Sequence, residues 1–231
     1  MVYNITMTNK RSVYDDIREQ IINEKLQPGQ WLIERELCEA YGLSRTPVRE
    51  VLWKLLADGF LEQEPNKGFV VRRLSLEQIF EIFQTREAIE GMAARLAASR
   101  RDDAAFASRL SGIRKELARV NVEQDVSRSV ELGRKLHRAI MEAAHNHLMA
   151  EISVRLNNLT ALTSNITKKS TAIEKQSLEA HCRIIDALLE GDEDKSEKVM
   201  REHLRDTCRQ VVEQFYPGML GGMAKQRIKT A

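Results

Sequence analysis

The sequence of 231 residues predicts a mainly α protein. Its N-terminal part reads as a winged helix-turn-helix, three helices plus a small β-hairpin wing, and the rest as an all-α antiparallel bundle of about six helices. Three observations predict this. Apolar residues recur at helical spacing in two closely joined segments between Ile33 and Phe60. Two short runs of strand-like composition follow them. From Ser75 onward the helical pattern continues without strand-like alternation and with a single proline, Pro217.

In chain order, the run from Val13 to Ile22 places apolar residues at helical spacing, and Pro28-Gly29 ends that unit. Leu37, Ala40 and Tyr41 form the inward side of the next helix, which Gly42 stops by adopting the left-handed conformation. Ser44 is the expected N-cap of the helix after it, whose apolar face is Val48, Val51, Leu52, Leu55 and Leu56. Arg45, Thr46 and Arg49 fall at the start of that helix, the end that a helix-turn-helix presents to the DNA major groove. An arginine there can fork to guanine or hold a phosphate through its five donors. Leu61–Glu64 and Gly68–Val71 are predicted strands, joined across Pro65-Asn66-Lys67-Gly68. Helix pairs of this kind also occur in proteins that never touch DNA. The wing and the placed arginines are what favour a DNA reader.

The bundle is predicted as helices at roughly 75–99, 102–121, 125–145, 147–167, 171–190 and 193–215, with ends uncertain by about 2–4 residues. Ser75 is the expected first N-cap, and Arg101-Asp102-Asp103, Asn121 and Gly191-Asp192 mark breaks. The expected division is therefore 1–74 for the reader, 75–217 for the bundle and 218–231 for a mobile, glycine-rich and basic tail.

Composition narrows the class. With 42% hydrophobic and 30% charged residues the chain is an ordinary globular protein of net charge +2. Residues 1–74 hold eleven Lys or Arg and eleven Asp or Glu, so attraction to DNA must come from where the charges sit. Cys38, Cys182 and Cys208 are scattered, which suits reduced thiols and neither a disulfide framework nor a cysteine-based zinc site. No apolar run approaches the ~20 residues that span a bilayer, and the N-terminus lacks a signal peptide's apolar core. The expectation is a cytoplasmic chain with no membrane partner.

Three of the five histidines fall on apolar stripes of separate predicted helices. His137 lines up with Val130, Gly133, Ile140 and Ala144, His181 with Leu178, Ile185 and Leu188, and His203 with Val199, Met200, Leu204 and Thr207. One such histidine is usually a hydrogen-bonded core residue. Three converging on one point are what a divalent metal such as Zn²⁺ prefers. His145 and His147 flank a turn and are expected at the surface.

The run LQPGQWLIERELCEAYGLSRTPVREVLWKLLADGFLEQEPNKGFVV closely resembles the GntR family of bacterial transcription regulators. The resemblance implies that Arg35, Arg45 and Arg49 contact the operator. It puts Ser44 and Thr46 on phosphates and Gly68, with Lys67 beside it, at the wing tip in the minor groove. Trp31 stands where the family often has a smaller residue, read here as a packing difference. GRKLHRAIMEAAHN, SLEAHCRIIDALLEGD and KVMREHL resemble the signature helices of the FCD ligand-binding domain, which defines the FadR-like branch of that family. Arg86 and Glu90 in TREAIEGMAARLAA match its first helix.

In many members an aspartate and three histidines hold a divalent metal, and the histidines carry over to His137, His181 and His203. The position of the aspartate is Gly133. Three outcomes stay open: a three-histidine metal completed by water or by an effector carboxylate, a weak metal that depends on the effector, or a metal-free cavity. Arg86 is a candidate effector-carboxylate clamp, or a structural partner of Glu90 or of the linker.

The resemblance thus implies a ligand-responsive, non-enzymatic regulator, a repressor that binds a pseudo-palindromic double-stranded operator as a homodimer and answers to a small carboxylate. A three-histidine metalloenzyme fused to a DNA reader and a ligand-independent DNA binder are the alternatives.

Overall fold

The computed structural model describes residues 10–65, 67–163 and 170–215. The tail expected beyond residue 217, and the expected end of the fourth bundle helix near residue 167, lie outside the described residues. The chain forms two compact units. The first runs to Ser75 and includes the end of the helix His147–Ala161 from Asn157 onward; the second holds the rest.

The first unit contains α1 (Lys10–Ile22), β1 (Trp31–Leu32), α2 (Glu34–Tyr41), α3 (Arg45–Ala57), β2 (Leu61–Glu64) and β3 (Gly68–Val71). The apolar stripe of α1 supplies Val13, Ile17 and Ile21 to a core completed by Leu37, Val48, Leu52, Leu55, Phe60, Leu61 and Phe69. Leu37 and Tyr41 are buried as expected, whereas Ala40 packs only partly against that core. Gly42 caps α2 in the left-handed region at φ 62°, its N–H donating to the Cys38 carbonyl. A side chain at that φ would be strained although nothing crowds it. Ser44 does stand at the N-cap of α3 in extended conformation, but its hydroxyl makes no capping bond.

The wing forms at the expected residues. β2 and β3 pair antiparallel with Leu61 opposite Val71 and Glu64 opposite Gly68. Gly68 takes φ 105°, a conformation that L side chains rarely adopt, so the tip of the wing needs glycine. The hairpin is, however, part of a three-stranded sheet in the order β1-β3-β2. β1 pairs Trp31 with Val70 and Leu32 with Phe69. A strand of two residues is too short for alternation to show in a sequence. Trp31 is not tucked into the core. It stands 36% exposed, with the Lys67 ammonium 5.9 Å from its ring centre. Trp53 of α3 meets Phe69 edge to face at 5.5 Å and ties the wing to the helix.

The second unit contains α4 (Leu76–Ala98), α5 (Ala104–Leu117), α6 (Val126–Ala143), most of α7 (His147–Ala161), α8 (Thr171–Glu190) and α9 (Glu193–Phe215). α4 packs on α9, α6 and α8, so these helices enclose a common interior. Alanines 93, 94, 97 and 98 let α4 come close, and Leu132, Leu136, Ile140, Ile184, Ile185, Leu188, Met200 and Leu204 fill the core. Helix starts are set locally: the Asp103 carboxylate accepts from the Ala105 and Phe106 amides, Asp125 from Arg128, and the Ser170 hydroxyl from Ile173. Among the described residues no helix is long and apolar enough to cross a membrane.

One buried acid in this bundle has a measurable consequence. Glu174, in the first turn of α8, is only 3% exposed, and its Oε1 has no hydrogen-bond partner. Burial pushes its carboxyl up to about 7, an effect that the Ser129 hydroxyl and the Arg134 charge only partly offset. An acid whose folded pKa is raised binds more protons folded than unfolded. Its penalty therefore grows as pH rises from the ordinary carboxylate value of 4.5 to about 7 and is complete above that. Glu174→Gln should stabilise the chain at pH 8 by roughly 1–3 kcal/mol and be near neutral at pH 4.5. Urea unfolding at both pH values checks this; equal effects at both would contradict it.

Candidate functional site

The side chains expected to read DNA, Arg35, Ser44, Arg45, Thr46, Arg49 and Lys67, are each exposed in the first unit, and Gly68 is half-buried. Arg45 and Thr46 open α3 and are exposed, and Arg45 makes no ion pair among the described residues. Arg49, one turn further, is held: its Nε donates to both oxygens of Glu34 at 2.9 Å. Arg35 lies 3.9 Å from Glu39, both largely exposed. Lys67 bonds Glu64 at 2.8 Å at the wing tip, beside Gly68. Exposed pairs of this kind contribute ~0–1 kcal/mol, so a phosphate or a base edge can displace the carboxylate. The involvement of Glu34 is not legible in the sequence, because it lies fifteen positions before Arg49.

In the second unit His137 of α6, His181 of α8 and His203 of α9 converge, each offering a ring nitrogen within 4.8 Å of the others'. Their ring centres are 5.3, 5.4 and 4.6 Å apart. His145 and His147 are exposed, as expected.

α4 lies against this cluster through two residues. Arg86 Nε donates to Glu90 Oε1 at 2.6 Å, with both side chains buried. The other oxygen of Glu90 meets His137 Nδ1 at 2.5 Å. Burial alone would raise the Glu90 carboxyl, but Arg86 and His137 outweigh it and hold the group down at about 2. An ionised carboxylate only accepts, so Nδ1 of His137 carries a proton and donates it to Glu90, which leaves Nε2 as the ring's ligating atom. That nitrogen faces His181 Nε2 at 3.3 Å. Arg86 thus stands as the partner of Glu90, the second of its two expected roles. The role of Glu90 itself was not foreseen; a carboxylate on a neighbouring helix leaves no spacing signal relative to His137.

The donor set fits a divalent metal. Burial first, then the charge on His137 and Arg86, pushes His181 down to about 3. Burial likewise takes His203 well below the usual histidine range. Both rings are therefore neutral near pH 7, the form that ligates. Nδ1 of His181 is buried without a hydrogen-bond partner. Ligands bound tetrahedrally at ~2.0–2.1 Å sit about 3.4 Å apart, close to the separation of the two Nε2 atoms. A carboxylate that fixes the tautomer of a ligating histidine, as Glu90 does for His137, is the usual support of such a site.

Gly133 acquires a reason here. A Cβ added at that position would lie 2.4 Å from Cε1 of His181, and 3.1 Å from its Nδ1. The glycine is less a missing ligand than the space that the His181 ring occupies. Any side chain at 133, aspartate included, requires that ring to move.

Residues 9–71 match the family described as bacterial regulatory proteins, gntR family, and residues 81–206 match the FCD domain. The HTH-type transcriptional repressor RspR of Escherichia coli is 26% identical over 211 residues, 90% of this chain and 91% of that protein. The Glc operon transcriptional activator of the same species is 28% identical over 216 residues, 84% and 85% of the two chains. Among solved structures, E. coli McbR/YncC superposes with a TM-score of 0.74 at 22% identity, covering 91% of this chain and all of that one. The chain belongs to the GntR family of bacterial DNA-binding transcription regulators, with a C-terminal FCD domain of the FadR-like kind, and is not an enzyme.

Proposed function

We propose that this chain is a ligand-responsive repressor that binds a pseudo-palindromic operator as a homodimer in the cytoplasm. Residues 1–74 read DNA, and residues 75–217 sense a small organic acid and hold the dimer. Arg45 and Arg49 take base edges, Arg35, Ser44 and Thr46 take phosphates, and Lys67 and Gly68 place the wing in the minor groove. The exposed hydroxyl of Ser44, free of a capping bond, supports its phosphate role. Glu34 holds Arg49 in the DNA-free protein, so operator binding exchanges that carboxylate for DNA.

His137, His181 and His203 would hold a divalent metal, which supplies a Lewis-acidic point for a ligand carboxylate when bound. Glu90 leaves Nε2 as the ligating atom of His137, and Arg86 keeps Glu90 ionised. The effector acts only through its different affinities for the two arrangements of the DNA readers. The observation that carries this reading is the meeting of three ring nitrogens within 4.8 Å inside a bundle fused to a DNA reader.

Footprinting of the full chain on its own upstream DNA tests it. The expected result is protection of two inverted half-sites about one helical turn, ~10 bp, or a multiple apart. Protection of a single half-site, or uniform protection, would rule out the dimeric reader. Binding unchanged by every added organic acid and by chelation would instead favour the ligand-independent binder.

A further inference from the structure

Trp53 stands 51% exposed on α3, the helix whose start carries the DNA-reading arginines. One exposed aromatic residue is ordinary for a globular protein. Three features set this one apart.

The first is its line. Arg45, Arg49 and Trp53 follow one another at intervals of four residues and so share one side of α3 on successive turns. Trp53 lies about 12 Å along the axis from Arg45. The second is its anchorage. The ring meets Phe69 edge to face, with centroids 5.5 Å apart and planes at 88°. Phe69 follows Gly68 in β3, so Trp53 is held where α3 and the wing meet. The third is an open donor. The indole N–H has no hydrogen-bond partner among the described residues. Glu50 is exposed one turn earlier, and the neighbouring cation of α3, Lys54, is drawn over the Tyr14 ring at 4.4 Å. Whatever docks at this junction meets the indole rather than a cation.

Duplex DNA presents one group at such a junction. A recognition helix in the major groove and a wing in the adjacent minor groove straddle the sugar-phosphate backbone that separates the two grooves. That strand crosses the corner between α3 and the wing, where Trp53 stands. An indole N–H only donates and a phosphate oxygen accepts, and the flat ring offers apolar surface to a deoxyribose.

We propose that Trp53 contacts the operator's backbone between the major and the minor groove, donating from its indole N–H to a phosphate and laying its ring on the neighbouring sugar. This rests on the reading of α3 and the wing as the elements that enter the two grooves, and it adds the residue that fixes their register on the strand between them. A contact of this kind carries no base information. It also neutralises no phosphate charge, so it leaves the salt dependence of binding unchanged.

Fluorescence anisotropy on the full chain tests this, with a duplex carrying one footprinted site and an unrelated duplex of equal length as probes. Trp53→Ala should weaken binding to both by a similar factor, roughly tenfold, at unchanged salt dependence, whereas Arg45→Ala should cost the operator more than the unrelated duplex. Trp53→Phe keeps a ring against Phe69 and removes the donor; it should melt as wild type does and bind about threefold or more weakly. Trp31→Phe leaves Trp53 as the one tryptophan of the chain, and saturating operator should remove most of its quenching by acrylamide. Quenching that is the same with and without operator overturns the contact. Wild-type affinity in both Trp53 variants beside a weakened Arg45→Ala overturns it too, while the assignment of α3 as the reading helix stands; wild-type affinity in Arg45→Ala as well overturns both. A Trp53→Phe chain that alone binds as wild type removes the indole donor from the contact. Loss confined to the operator, with the unrelated duplex bound as before, overturns the backbone assignment in favour of base reading.

Discussion

Arg45→Ala is expected to weaken operator binding by about 1–3 kcal/mol, roughly a factor of five to 150, and to relax discrimination at one base position in each half-site. The size follows from where the residue stands. Arg45 opens α3, is exposed, and makes no ion pair among the described residues, so its removal loses no folded-state pair. The whole cost falls on the complex. Arg49→Ala should cost less, because the wild-type side chain must first leave Glu34. Glu34→Gln should correspondingly tighten binding and steepen its salt dependence, since it frees a cation without adding one. Fluorescence anisotropy on the footprinted operator at two salt concentrations separates these effects. An Arg45→Ala chain with native melting and unchanged affinity would place the reading surface elsewhere.

The second large effect is Gly133→Asp. On sequence resemblance alone this substitution restores a ligand that many relatives possess, and metal affinity should rise. The structure predicts the opposite. The new Cβ would stand 2.4 Å from the His181 ring, which is itself buried and cannot swing into solvent. Relief requires the ring or the helices to shift, a cost of ~1–3 kcal/mol for overpacking of this kind. His181 would leave the position from which it faces His137. The expected result is a chain less stable by that amount that binds zinc at least roughly tenfold more weakly. Gly133→Ala separates space from charge: it should reproduce the loss of zinc affinity without introducing a carboxylate. Tighter zinc binding by Gly133→Asp at unchanged stability would show that the ring has room to move.

Much of this molecule was legible before any coordinates, for reasons tied to particular elements. The wing strands stand at their predicted residues because the turn sequence Pro65-Asn66-Lys67-Gly68 between them is a local signal. The bundle helices were legible because each carries an apolar stripe and most are bounded by a capping aspartate, serine or glycine. Convergence of the three histidines followed from their places on those stripes. What stayed hidden depends on contacts distant in sequence. β1 is a strand only because Phe69 and Val70 lie beside it. Ser44 was read as a capping side chain, whereas the N-cap conformation holds without its hydroxyl. Glu90 acts on a histidine 47 positions away, and the spacing of neither residue reveals the pairing. Gly133 looked like a deletion of chemistry, because a sequence shows which atom is absent and not which ring fills the space.

The three-histidine centre is tested most directly by titrating the metal-stripped full chain with zinc in a calorimeter, alongside His203→Ala. The centre predicts about one zinc per wild-type chain and no comparable uptake by the variant. A wild-type chain that takes up no zinc, or a His203→Ala chain that binds it equally well, would contradict it.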